Sequence, residues 1–118
     1  MSNLSFDDIA KELHETAVEK GFWNVVRSED GVTPEQVDIF MTKQLMMIVS
    51  EATEVMEAIR KSHGPEAVAD EVADILIRTF DLYAGLLEYE YTNVSLDEAF
   101  EKKTGYNKSR PEKHGVKF

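Results

Sequence analysis

Two acid-x-x-acid pairs stand on neighbouring segments of the chain: Glu51 and Glu54 within VSEATEVM (49–56), and Glu71 and Asp74 within ADEVADIL (69–76). In a helix, residues three apart are separated by ~60° around the axis, so each pair projects from one face. Relative to the centre of each apolar stripe, Glu51 and Glu71 fall at the border and Glu54 and Asp74 one step further out. If the two segments pack as a hairpin, the four carboxylates converge along one edge of the seam. Carboxylates that close repel one another and raise their own pKa values unless cations neutralise them. A hard divalent ion, Mg2+ with Mn2+ as substitute, takes oxygen ligands and leaves positions for water and phosphate oxygens. The chain has no cysteine to offer a softer metal. A di-iron bundle site would want Glu-x-x-His motifs, and His14, His63 and His114 are not so placed. Glu57 and Asp70 read as solvated charge. Asp81 lies on the face of Asp74, with Arg78 between as its expected salt-bridge neighbour.

Helices must position these acids. Phe6, Ile9, Ala10, Leu13 and Ala17 keep helical spacing, and that helix ends near Gly21. Residues 21–32 hold two glycines and the Phe22-Trp23 pair and read as a loop. Thr33, Pro34 and Gln36 form an N-cap, a proline at the first helical position and a capping-box partner. A stripe from Val37 through Met41, Leu45, Ile48, Ala52, Val55 and Ile59 then runs to about Lys61, where SHGP (62–65) breaks it. The next stripe, Val68 to Leu86, fades in EYEYTN (88–93), and Ser95 with Glu98 opens a shorter fourth helix towards Thr104 or beyond. Four helices, short connections and no strand-like alternation predict an all-α, four-helix antiparallel bundle, with residues 1–118 as one domain. The stripes are wide and rich in methionine, which predicts completion by a second subunit.

Composition narrows the function classes. At 118 residues with 42% hydrophobic and 31% charged residues, a folded globule is expected rather than disorder. No apolar run approaches the ~20 residues that span a bilayer, and the N-terminus lacks the pattern of a signal peptide, so a cytoplasmic protein without a membrane partner is expected. The net charge of -10 is uneven: residues 102–118 carry +5, which leaves -15 on the rest. An acidic body repels nucleic-acid polymers, whereas a short basic end suits a small polyphosphate.

The acidic motif and its surroundings resemble the MazG-like members of the all-α NTP pyrophosphohydrolase superfamily. The resemblance covers almost the whole chain: Glu51-x-x-Glu54, Glu71-x-x-Asp74, His14 and Phe22-Trp23 early, Lys43-Gln44-Leu45 before the first pair, DILIRTFD (74–81) after the second, and Lys103, Asn107, Arg110, Lys113 and His114 at the end. It implies hydrolysis of a nucleoside triphosphate, often a deoxynucleotide, to monophosphate and pyrophosphate, for nucleotide-pool control or house-cleaning, in a homodimer or homotetramer. The four acids would hold the metal. Either Glu51 or Glu54 would take the proton from the attacking water.

Lys103, Asn107 and Arg110 share one helix face, which by spacing is solvated surface or a phosphate clamp; the resemblance favours the clamp. Lys43 is a weaker candidate, and Lys113, His114 and Lys117 either order over substrate or form a tail. Trp23 either anchors its loop in the core or stacks a nucleobase, and the resemblance places it in the nucleotide pocket. Position alone makes His14 structural. Two other functions fit the same residues: a non-catalytic helical interaction module, and a metal-dependent hydrolase of another phosphorylated metabolite.

Overall fold

Side-chain caps decide where the helices begin. In the computed structural model, which describes residues 5–111, Ser5 Oγ accepts from the Asp8 N–H at 3.1 Å and starts α1, Phe6–Glu19. Thr33 Oγ1 accepts from Gln36 N–H at 3.1 Å while the Gln36 side chain accepts from Thr33 N–H at 2.8 Å. This complete capping box, with Pro34 at the first position, starts α2, Pro34–Arg60. Helix α3, Pro65–Glu88, has no side-chain cap; the chain enters it through Gly64 at φ 100°, a left-handed value that favours glycine. Helix α4, Leu96–Ser109, begins at Ser95, whose hydroxyl accepts from Glu98 N–H. A single 3₁₀ turn, Asn24–Val26, interrupts the loop between α1 and α2.

The described residues are all-helical, without a strand. Helix α3 is central: it pairs with α2 as a hairpin on one side and packs against α1 on the other, while α4 leans on α1. The expected seam between the two acid-bearing helices is therefore present. No described helix is long and apolar enough to cross a membrane.

Helices α1 and α4 meet at their N-termini, and each caps the other. Asp97 accepts from the N–H groups of Phe6 and Asp7 at 2.9 and 3.3 Å. Asp7 accepts from the N–H groups of Leu96 and Asp97 and from the Ser95 hydroxyl. Two positive helix ends face each other, and a carboxylate at each satisfies the orphan N–H groups. Phe6 packs edge-on against Phe100 behind them.

The core lies where α1, the 21–32 loop, the start of α2 and the end of α3 meet. It consists of Trp23, Val26, Phe40, Met41 and Leu82, flanked by Ala17, Val18, Ile48, Leu86 and Tyr89. Gly85 lets α3 approach the indole: a Cβ there would stand 2.1 Å from Trp23 Cη2. Towards the hairpin tip the packing thins. Leu45, Val49, Met56 and Ile59 on α2, with Val72 and Leu76 on α3, are all exposed. The α2 residues fall within ~80° of arc, one continuous stripe. The molecule is correspondingly long, with a radius of gyration of 16.9 Å against roughly 13.5 Å for a compact chain of this length.

Candidate functional site

Helix pairing brings Glu51 of α2 beside Glu71 and Asp74 of α3, with one oxygen from each lying within 4.8 Å of the others. Glu51 and Glu71 are half-buried and Asp74 is exposed, the order their positions around the helices dictate. Glu54 is exposed and stands outside this group of three, yet its charge still acts on Glu71. The Glu71 carboxyl is raised above its ordinary value by desolvation first, and then by the charges of Asp74, Glu54, Glu51 and Asp70. Arg78, one turn beyond Asp74, donates from Nε to Glu51 Oε1 at 2.9 Å. The salt bridge expected between Arg78 and Asp81 is thus replaced by one across the hairpin.

The donor set suits a divalent ion. Oxygens that share one Mg2+ at ~2.1 Å sit at most ~4.2 Å apart, so a spacing within 4.8 Å needs only a side-chain adjustment. One guanidinium against three carboxylates leaves local negative charge, and every available donor is a hard oxygen.

Two of these acids, Glu51 and Asp74, line a cavity of about 500 Å³ built from four segments, and Glu71 stands beside them; the size is ordinary for a small-molecule site. Helix α1 contributes Leu13, Thr16 and Ala17, its C-cap Lys20, the loop Phe22 and Val25, α2 Phe40, Lys43, Gln44, Met47 and Glu51, and α3 Asp74, Ile77, Arg78 and Asp81. Eleven helical steps along α2 separate Phe40 from Glu51, about 16 Å. Phe22, Val25 and Phe40 stand at the loop end with Lys20, and Glu51, Asp74 and Arg78 at the other, with Lys43 and Gln44 between them.

Asp81 is held in the cavity wall. Trp23 Nε1 donates to Oδ1 and Oδ2 at 3.0 and 3.2 Å, and His14 Nδ1 lies 2.8 Å from Oδ1. A buried carboxylate needs such donors to offset its lost hydration. Among the described residues His14 Nε2 is buried without a hydrogen-bond partner, with Glu88 Oε2 at 3.5 Å, and Glu88 also pairs with Arg27.

Trp23 is 0% exposed, its ring enclosed by His14 at 4.6 Å, Phe40 at 5.0 Å and Tyr89 at 6.4 Å between centroids. Neither face is open to a nucleobase, which corrects the stacking role in favour of core anchoring. Its neighbour Phe22, 67% exposed, lines the cavity instead. Lys103 and Asn107 lie on α4 and Arg110 at its C-cap, and none of the three lines this cavity; Lys103 and Arg110 stand over the Tyr106 ring at 5.4 and 5.2 Å. Lys113, His114 and Lys117 lie outside the described residues. The cavity's own polar residues Lys20, Gln44 and Arg78 were not singled out as ligands from sequence. Two carried a usable signal: Gln44 sits two turns before Glu51, and Arg78 one turn after Asp74, each on the acid-bearing face.

No protein-family model, no curated protein and no solved structure matches the chain.

Proposed function

We propose that the protein is a MazG-like enzyme that hydrolyses nucleoside triphosphates, deoxynucleotides foremost, to monophosphate and pyrophosphate with Mg2+. The observation that carries the reading is the meeting of Glu51, Glu71 and Asp74, two of which, Glu51 and Asp74, line a cavity that also presents the apolar Leu13, Phe22 and Val25. A divalent ion held by these acids would supply charge neutralisation at the phosphate oxygens and acidify the attacking water. The chain's own residues do the rest. Phe22, Val25, Leu13 and Ala17 take the base and exclude water around it; Lys43 and Gln44 orient the phosphates between base and acids. Water attacks the α-phosphorus, the bond to the bridging oxygen breaks, and pyrophosphate leaves. Glu54 accepts the water's proton: Glu51 is one of the three acids that would hold the ion, whereas Glu54 stands outside that group and has no hydrogen bond or ion pair among the described residues.

A second copy of the chain completes the fold in this reading, covering the exposed stripe of Leu45, Val49, Met56 and Ile59 and the adjoining Val72 and Leu76. The elongated shape and the size of that apolar face favour it.

The test is incubation with each common dNTP and NTP, with and without Mg2+, and chromatographic identification of products. Monophosphate plus pyrophosphate, abolished by EDTA, is expected, and Glu54→Gln should lose about 10²-fold or more in kcat while keeping its helical circular dichroism. Absence of turnover of every nucleotide, or a fully active Glu54→Gln, would overturn the reading or the assignment of the base respectively.

A further inference from the structure

Arg78 is bonded to a carboxylate that metal binding needs. Its Nε donates to Glu51 Oε1 at 2.9 Å across the α2–α3 seam, with the two side chains 38% and 15% accessible. Glu51 is also one of the three acids whose oxygens gather within 4.8 Å. A guanidinium bonded to the Glu51 carboxylate and a divalent ion held by that same carboxylate would be two positive centres close together, which repel. The hydrogen bond to Glu51 uses only Nε, so the terminal nitrogens, the pair that grips a phosphate as a fork, are not spent on it. The same side chain lines the cavity alongside Lys43 and Gln44.

We infer that Arg78 is an exchangeable counter-ion and substrate ligand: without nucleotide it neutralises Glu51 and opposes divalent-ion binding, and when a metal-bound triphosphate enters the cavity it leaves Glu51 and grips phosphate oxygens. The inference rests on the metal-dependent reading of this cavity proposed above. It makes metal and triphosphate binding mutually reinforcing, because each favours the arrangement in which Arg78 has left Glu51. It also gives Arg78 opposite effects on two affinities, which a merely structural salt bridge would not have.

The experiment measures Mn2+ uptake by nucleotide-free protein through loss of the free-ion electron paramagnetic resonance signal. Binding of an α,β-methylene triphosphate in saturating Mn2+ is measured in parallel, for the wild type, Arg78→Gln and Arg78→Lys. Arg78→Gln is expected to bind Mn2+ about fivefold more tightly, the effect of removing a partly exposed competing cation, and the analogue at least about tenfold more weakly, through loss of charged hydrogen bonds. Arg78→Lys keeps the charge without the fork and should move both affinities in the same senses by less, which preserves the test if the glutamine variant folds poorly. Unchanged or weaker Mn2+ binding by the variants, or unchanged analogue binding, overturns the inference while the metal site stands. Absence of Mn2+ uptake by the wild type and both variants overturns the metal reading itself, and the inference with it.

Discussion

The two ends of the α2–α3 hairpin solve the burial problem differently. At the loop end, α1 and the 21–32 segment close over the hairpin, and Trp23, Val26, Phe40, Met41 and Leu82 form a sealed core. Towards the tip the same two helices carry apolar side chains, Val49, Met56, Ile59 and Leu76, that are exposed among the described residues. Phe22, Val25 and Ile39 are exposed at the loop end and Ala58 is buried near the tip, so the difference lies in the packed cluster: one end gathers aromatic and aliphatic side chains into a core within one chain, and the other does not. The acids lie at the boundary between them: Asp81, fixed by the core, lines the same cavity as Glu51 and Asp74, which the hairpin presents. Side chains held by a packed core and by paired helices stand on rigid elements, which a precise site requires.

The comparison breaks most visibly at Trp23. Its ring touches His14, Phe40 and Tyr89, its N–H satisfies Asp81, and Gly85 is shaped around it. Trp23→Ala is expected to cost about 3–5 kcal/mol in urea unfolding, a large share of a typical domain's stability. Met56→Ala, which removes an exposed apolar side chain at the other end, should cost no more than about 0.5 kcal/mol in dilute monomer. Similar costs at both sites would show that the tip is not open in solution.

The next largest effect is on assembly. Charge placed within the exposed stripe, as Val49→Lys or Leu76→Lys, should weaken self-association on the order of 10- to 100-fold, read by sedimentation velocity, while leaving the helical signal unchanged. A wild type that sediments as a monomer at tens of micromolar would remove the partner from this account and leave the exposed stripe unexplained.

The legible and illegible parts of the molecule divide along the range of the interactions. Helix starts depend on residues three apart, so Thr33, Pro34 and Gln36 announced α2 and Ser95 announced α4. The relative burial of Glu51, Glu71 and Asp74 follows from helical periodicity, so their ranking was visible as well. Arg78 was visible as a neighbour of acids but not as the partner of Glu51, because i+3 spacing favoured Asp81 and the deciding approach runs across the hairpin. Asp81 itself is claimed by Trp23 and His14, 58 and 67 residues away in sequence. The cavity draws on four segments that no local pattern connects, and for that reason the sequence did not separate the buried Trp23 from the exposed Phe22 beside it. At Ser95 only the hydroxyl half of the capping box forms among the described residues, and the cap that sequence did not show comes from Asp7, which takes the N–H groups of Leu96 and Asp97.

That exchange of caps gives the smallest and most specific expectation. Burial works to raise the Asp7 carboxyl, but hydrogen bonds from Ser95, Asp97 and Leu96 outweigh it and hold the group at about 2, below its ordinary 3.8. A carboxyl depressed on folding contributes stability that is fully present above its unfolded value and disappears as pH falls through the folded one. The α1–α4 joint should therefore loosen between pH 3.8 and about 2, by less than about 1 kcal/mol because solvent screens the group. Amide exchange in α4 compared between wild type and Asp7→Asn isolates this contribution from the other titrating acids. The wild type should protect α4 better at pH 5, with the two converging near pH 2; parallel curves across the range would mean that Phe6 and Phe100, rather than the exchanged carboxylates, hold α4 in place.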